Sequence, residues 1–274
     1  DEIAPTADNA LGLITREAMG VVAAIVPWNY PMIMAAWKIA PALAAGNSVI
    51  LKPSEKSPLT ALKLAEIALE AGIPAGVFNV LPGYGEEVGS PLALHMDIDC
   101  VAFTGSTNVG KKIMQYAGQS NLKRAWAELG GKSPFVVFAD ADVDAAAESC
   151  INAIFFNQGE SCNAPSRVII DQSVQDQFIE KALSLMPSFQ PANPLINDTT
   201  MGAIVDEIQL NNVMHYIQAG KAEGANCVTG GEQVLQETGG YYVTPTIFNN
   251  VKNSMKIARE EIFGPVLSVI AFDN

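Results

Sequence analysis

Up to Gly130, short apolar or β-branched runs alternate with longer helical patterns, and this constrains the fold more than any other feature of the chain. Val21-Val22-Ala23-Ala24-Ile25-Val26 reads as a buried strand, and residues 32–45 as a helix stopped by Gly46. Ser48-Val49-Ile50-Leu51-Lys52 is the next strand. Residues 57–71 form the next helix, with Gly72 at its end and Pro74 beyond. Val77-Phe78-Asn79-Val80 precedes a helix over 86–95, and Cys100-Val101-Ala102-Phe103-Thr104 precedes a helix over 107–116. Parallel strands need crossover helices, so serial strand–helix units predict a doubly wound α/β fold.

A further strand over 124–129 ends at Gly130-Gly131, which places a domain boundary there: residues 1–130, then 131–274. The second part reads as another α/β unit. Its strands are expected at 134–138, 167–170, 241–248 and 265–272, and its helices at 144–156 and 207–223, with a Pro/Asn-rich loop over 188–197.

Composition narrows the function. The chain has 16 Lys and Arg against 29 Asp and Glu, a net charge of −13, which argues against nucleic acid and anionic membranes as partners. With 49% hydrophobic and only 16% charged residues, it must bury much of itself. The uncharged stretch 18–37 fails as a membrane span, because Pro27, Asn29 and Pro31 would leave backbone groups unsatisfied in lipid. Four cysteines without metal-ligand spacing fit a reducing, cytoplasmic setting and no metal site. The chain opens Asp1-Glu2-Ile3 without a basic-then-apolar leader.

Several segments carry possible chemistry. Gly105-Ser106-Thr107-Asn108-Val109-Gly110-Lys111-Lys112 joins a strand to a helix, where backbone amides can hold a phosphate. It misses a nucleotide-binding P-loop by one residue, since Lys112 stands where a Ser or Thr must hold Mg²⁺. A glycine turn without any ligand fits the same residues.

Cys162 lies on the polar loop Asn157-Gln158-Gly159-Glu160-Ser161-Cys162-Asn163, whereas Cys100 falls in a strand and Cys150 in an Ala-rich helix. A loop thiol can reach a ligand and ionise to the nucleophilic thiolate. His95 and His215 stand alone in sequence, so a Cys–His pair has little support. Asn29, between two prolines at a strand end, can donate hydrogen bonds to a ligand or cap the following helix. Glu128 before Gly130-Gly131 is a carboxylate at a strand end, where a surface ion pair is the ordinary explanation.

Taken in order, Pro27-Trp28-Asn29-Tyr30-Pro31, Lys52-Pro53-Ser54-Glu55, Phe103-Thr104-Gly105-Ser106-Thr107, Glu128-Leu129-Gly130-Gly131-Lys132, Gln158-Gly159-Glu160-Ser161-Cys162 and Glu260-Glu261-Ile262-Phe263-Gly264-Pro265-Val266 resemble the motifs of the NAD(P)-dependent aldehyde dehydrogenase superfamily. The resemblance implies a Rossmann-like NAD-binding domain over 1–130, then an α/β catalytic domain over 131–274 that lacks its C-terminal part. It implies that Cys162 attacks the aldehyde, that Asn29 and the Cys162 N–H stabilise the oxyanion, and that Glu128 activates water against the thioester. Lys38 matches a possible proton-relay lysine. For the cofactor, NAD, it implies contacts from Trp28, Lys52, Glu55, Gly105, Ser106 and Glu261, with Phe263 packing beside.

Glu160 departs from the Gln that many members carry, and an inward acid there would raise the thiol pKa. The chain is a little over half the usual family length, so a partial chain is expected. The segments 24–30 and 118–126 are most similar to the aminoaldehyde-oxidising branch, and the whole protein is expected to be a homo-oligomer. A non-catalytic NAD-binding scaffold is the competing reading, with a P-loop-like nucleotide binder behind it.

Overall fold

The computed structural model describes residues 2–273; residues 1 and 274, at the outer ends of the two expected domains, lie outside it. The chain divides into two compact units, Asp1–Leu129 and Gly130–Asn274.

In the first unit a hairpin of β1 (Glu2–Ala4) and β2 (Gly12–Ile14) precedes the main sheet. The sheet elements follow as β3 (Val21–Ile25), α1 (Pro31–Ala44), β4 (Ser48–Lys52), α2 (Leu59–Glu70), β5 (Phe78–Val80), α3 (Ser90–Leu94), β6 (Cys100–Thr104), α4 (Thr107–Gln119) and β7 (Arg124–Glu128). The five strands are parallel in the order β5-β4-β3-β6-β7. The chain thus winds outward from β3 to β5, returns, and continues from β6 on the other side. The strand order reverses between β3 and β6, and in such sheets ligands bind outside the carboxyl ends of the strands at that point.

Strand periodicity explains the burial. Ala24 and Val26 face a core shared with α1 and α2, while Ala23 and Ile25 face a second core with Ile113 of α4 and Leu92 of α3. With helices on both faces, the central strands β3, β4 and β6 are mostly apolar and so legible as strands, whereas the edge strand β7 is largely exposed. The uncharged stretch 18–37 is β3, a turn and the start of α1, and no described helix is long and apolar enough to cross a membrane.

The second unit comprises β8 (Pro134–Val137), α5 (Val143–Phe155), β9 (Arg167–Asp171), α6 (Gln175–Leu185), α7 (Glu207–Ala222), β10 (Asn226–Thr229), β11 (Gln233–Val234), β12 (Tyr242–Val243), β13 (Thr246–Asn249), α8 (Lys256–Arg259) and β14 (Val266–Phe272). Its sheet order is β10-β13-β14-β9-β8, parallel except for the edge strand β10. Asp142 caps α5 through Ala145 N–H, and Asp206 caps α7 through Gln209 N–H.

Local chemistry accounts for the departures from expectation. The helix expected over 86–95 is a wide turn at Gly85–Gly89 followed by α3, with Pro91 unable to donate at the junction. The strand expected over 241–248 breaks at Pro245 into β12 and β13. No expected element covers the hairpin β1–β2, α6, β10 or β11.

Candidate active site

In the first unit, the sequence-predicted residues gather at the carboxyl ends of the strands. Residues 27–30 turn from β3 into α1, and Val26 N–H donates to the Lys52 carbonyl at 3.1 Å, fixing the turn to the end of β4. The cap position of α1 falls to Tyr30, not Asn29. Trp28 lies under the Lys56 ammonium, 5.5 Å from the ring centroid.

Lys52 is only 4% exposed, yet its Nζ lies 3.3 Å from Glu55 Oε2. A buried ammonium and a partly exposed carboxylate therefore share the end of β4, with acceptor and donor capacity for hydroxyl groups. Lys38 Nζ donates to Thr104 Oγ1 at 2.5 Å, and Thr104 pairs in register with Glu128 across β6 and β7. Burial pulls the Lys38 pKa down, and the Glu128 charge opposes that shift. Lys38, Thr104 and the exposed Glu128 thus form one electrostatic group within this unit. Thr104 was missed from sequence because a buried strand-end threonine carries no signal by itself.

The near P-loop has a packing explanation. A Cβ at Gly105 would lie 2.6 Å from the Phe103 ring, and one at Gly110 would lie 2.4 Å from Leu129. Ser106 caps α4, its Oγ accepting from Val109 N–H at 3.3 Å. Both glycines thus lie where an added Cβ would have to displace the end of a packed side chain. Beside this helix start a cavity of about 460 Å³ has an apolar floor of Ile25, Phe103, Val109 and Ile113, with Tyr84, Glu86, Glu87 and Lys112 also lining it. Its lining from the 84–90 turn was not foreseen.

In the second unit, the loop after α5 is held in an unusual backbone. Asn157, Gln158 and Gly159 are consecutive left-handed residues, at φ 50°, 57° and 71°. Side chains pin this geometry: Gln158 Oε1 accepts from Gly202 N–H at 2.9 Å, and Glu160 Oε1 accepts from Val205 N–H at 3.2 Å. Glu160 is 3% exposed, so the acid that departs from the family pattern is inward and bonded to backbone. Gly159 abuts the 264–265 backbone, where an added Cβ would lie 2.3 Å from the Gly264 carbonyl oxygen.

Cys162 follows on this loop and is half-buried. Cys150 is a different kind of thiol, pushed by desolvation up to about 12 and so inert. Burial also raises Cys100 and Cys227.

Glu261 lies at the same end of the second unit. Its Oε1 accepts from Gly131 N–H at 3.2 Å, and a Cβ at Gly130 would fall 1.9 Å from its Oε2. Burial raises its pKa, and the Gly131 N–H and the Lys132 charge oppose that. Phe263 sits at φ 55°, and its carbonyl accepts from Gln209 Nε2 at 2.7 Å. Gln209, which belongs to no sequence motif, therefore secures the Glu261–Phe263 segment from α7. Among the described residues, no group of three or more His, Cys, Asp or Glu could hold a metal ion.

The aldehyde dehydrogenase family pattern matches residues 1–274, and the chain belongs to that family. Aldehyde dehydrogenase 1A1 of Mus musculus is 48% identical over 259 residues, which cover 94% of this chain and 51% of the relative. The crystal structure of a gamma-glutamyl-gamma-aminobutyraldehyde dehydrogenase from Burkholderia cenocepacia is 62% identical with a TM-score of 0.97, over 100% of this chain and 55% of that one. An indole-3-acetaldehyde dehydrogenase solved with NAD⁺ is 60% identical with a TM-score of 0.98, over 100% of this chain and 56% of that one. The chain therefore spans about half the length of the relatives it matches.

Proposed function

We propose that the protein to which this chain belongs oxidises an aldehyde to a carboxylic acid with NAD⁺, residues 1–130 binding the cofactor and residues 131–274 carrying the nucleophile. The observation that carries this reading is the setting of Cys162, on a loop held in left-handed backbone by Gln158 and Glu160, within a family match over residues 1–274.

The residues present fit a dinucleotide. The Glu55 carboxylate beside the buried Lys52 offers acceptors to a ribose diol, and the apolar cavity at the start of α4 can take a flat base. Trp28, Gly105, Ser106, Glu261 and Phe263 complete the proposed contacts. NAD⁺ supplies, when bound, the acceptor for the hydride lost by the substrate.

Cys162 as thiolate attacks the aldehyde carbon, forming a thiohemiacetal whose oxyanion is stabilised by the Asn29 amide and the Cys162 N–H. Loss of hydride leaves a thioester on Cys162. Glu128 takes a proton from water as that water attacks the thioester carbon, and the C–S bond breaks to release the acid and the Cys162 thiolate. Lys38, whose pKa is lowered by burial and whose Nζ lies on Thr104, is placed to take that proton from Glu128 when it is the neutral amine.

The similarity to the Burkholderia enzyme supports an aminoaldehyde as substrate. A cytoplasmic homo-oligomer is the proposed setting of the whole protein. The test is NADH formation from a panel of aliphatic, aromatic and amino aldehydes. The account expects turnover that Cys162→Ala abolishes while NAD⁺ binding persists. NAD⁺ binding without turnover of any aldehyde would leave a cofactor-binding scaffold instead.

A further inference from the structure

Lys132 is a buried cation to which the mechanism above gives no task. Its Nζ is shut off from solvent and makes no hydrogen bond. A lysine ammonium almost never occupies such a place without a compensating charge or acceptor. The charged groups that act on it are Arg167, at the start of β9, and Glu261, after α8. Tyr216 on α7 senses Glu261 as well, while its hydroxyl donates to Glu260 Oε2 at 2.9 Å.

The surrounding backbone is built around Glu261. Gly131 donates to its Oε1, and Gly130 leaves open the space its carboxylate fills, where a Cβ would come within 1.9 Å. Arg167 ties the two segments together, Nη2 donating to the Lys132 carbonyl at 3.0 Å and Nη1 to the Ala258 carbonyl at 3.4 Å. The Cys162 carbonyl oxygen lies 3.8 Å from the position of a Gly131 Cβ, so the turn also borders the nucleophile's loop.

We propose that Lys132 is a positioning residue for Glu261: its buried ammonium draws the Glu261 carboxylate onto the Gly130–Gly131 turn, presetting that acid for the ribose of a bound dinucleotide. The inference rests on the cofactor reading above. Two of the guanidinium nitrogens of Arg167 are committed to backbone carbonyls, and its Nε is buried without a hydrogen-bond partner. Its charge also opposes that of Lys132, which together with desolvation lowers the lysine to about 8. The ammonium is therefore lost within the working range of pH, and its hold on Glu261 is lost with it.

The experiment is calorimetric titration of NAD⁺ into the full-length protein without aldehyde, at pH values on either side of about 8. It compares wild type, Lys132→Met, Lys132→Arg, Glu261→Gln and the double variant Lys132→Met/Glu261→Gln. Wild-type affinity should fall about fivefold as pH rises through that value, a change of roughly 1 kcal/mol. Lys132→Met should be weak at every pH with a flat profile. Lys132→Arg, which stays charged, should keep the affinity and lose the pH dependence. In the Glu261→Gln background, Lys132→Met should add less than about twofold, because the residue through which it acts is gone.

An unaltered pH profile in Lys132→Arg, or a Lys132→Met effect undiminished without Glu261, overturns the inference. If Lys132→Met does not fold, the wild-type and Lys132→Arg profiles decide alone. A wild type that binds no NAD⁺ refutes the cofactor reading instead, and the inference with it.

Discussion

Replacing Gly159 by Ala tests whether the loop that bears Cys162 is held by the close approach of two backbones. Two costs can be separated. The first is conformational: Gly159 sits at φ 71°, where an L side chain costs about 1–2 kcal/mol. The second is steric, since the new Cβ would lie 2.3 Å from the Gly264 oxygen, 2.5 Å from its carbonyl carbon and 2.9 Å from the Pro265 nitrogen. All three are backbone atoms leading into β14, so no side chain can swing aside, and relieving the overlap by parting the loop adds about 2 kcal/mol. The sum is roughly 3–4 kcal/mol, a melting shift of about 6–12 °C or more at this size. Gly224→Ala is the internal control. It carries the same kind of strain, at φ 90°, with nothing within 4 Å of its Cβ, and should cost only the first component. Scanning calorimetry of both variants decides: equal destabilisation by the two would show that the Gly159–Gly264 contact contributes nothing.

Further predictions concern charge and catalysis. Between about pH 8 and 10.5 the unfolded chain holds a proton on Lys132 that the folded chain has lost, so stability should rise with pH across that window by up to about 3 kcal/mol. Lys132→Met should remove that rise in a pH series of denaturant titrations; an identical series in the variant would contradict it. Glu128→Gln should slow thioester hydrolysis more than hydride transfer, giving a stopped-flow burst of NADH and then a slow steady state. Loss of the burst would assign Glu128 an earlier step. NAD⁺ should bind about tenfold more tightly than NADP⁺, roughly 1.4 kcal/mol, because Glu55 repels a 2′-phosphate while Lys52 partly offsets it. Glu55→Gln should narrow that gap in measured Kd values, and a wild-type preference for NADP⁺ would show that Glu55 points away from the ribose.

What the sequence made legible follows from which interactions are local. The central parallel strands β3, β4 and β6 are covered on both faces, so their apolar runs stand out, and Gly46 and Gly72, at φ 81° and 91°, mark the ends of α1 and α2. The helix α6 escaped notice because it starts Gln175-Asp176-Gln177, directly after a short turn capped by Asp171, without a Gly or Pro between strand and helix. Its buried residues, Phe178, Ile179 and Ala182, are few. Cys162 was singled out by its polar loop, and the structure adds what holds that loop: partners at Gly202, Val205 and Gly264, all far along the chain. Thr104, Gln209 and the unsatisfied Lys132 ammonium acquire meaning only through tertiary neighbours, which no local pattern encodes. The same holds for Gly105 and Gly110, whose spacing resembles a phosphate loop but answers to Phe103 and Leu129.

The proposed mechanism stands on Cys162 forming the covalent intermediate. The direct measurement is peptide mass mapping of the full-length Glu128→Gln variant, acid-quenched after mixing with NAD⁺ and an aldehyde. An acyl adduct should appear on the peptide bearing Cys162 and on none of those bearing Cys100, Cys150 or Cys227. NADH formation without an adduct, or an adduct on another cysteine, would contradict it.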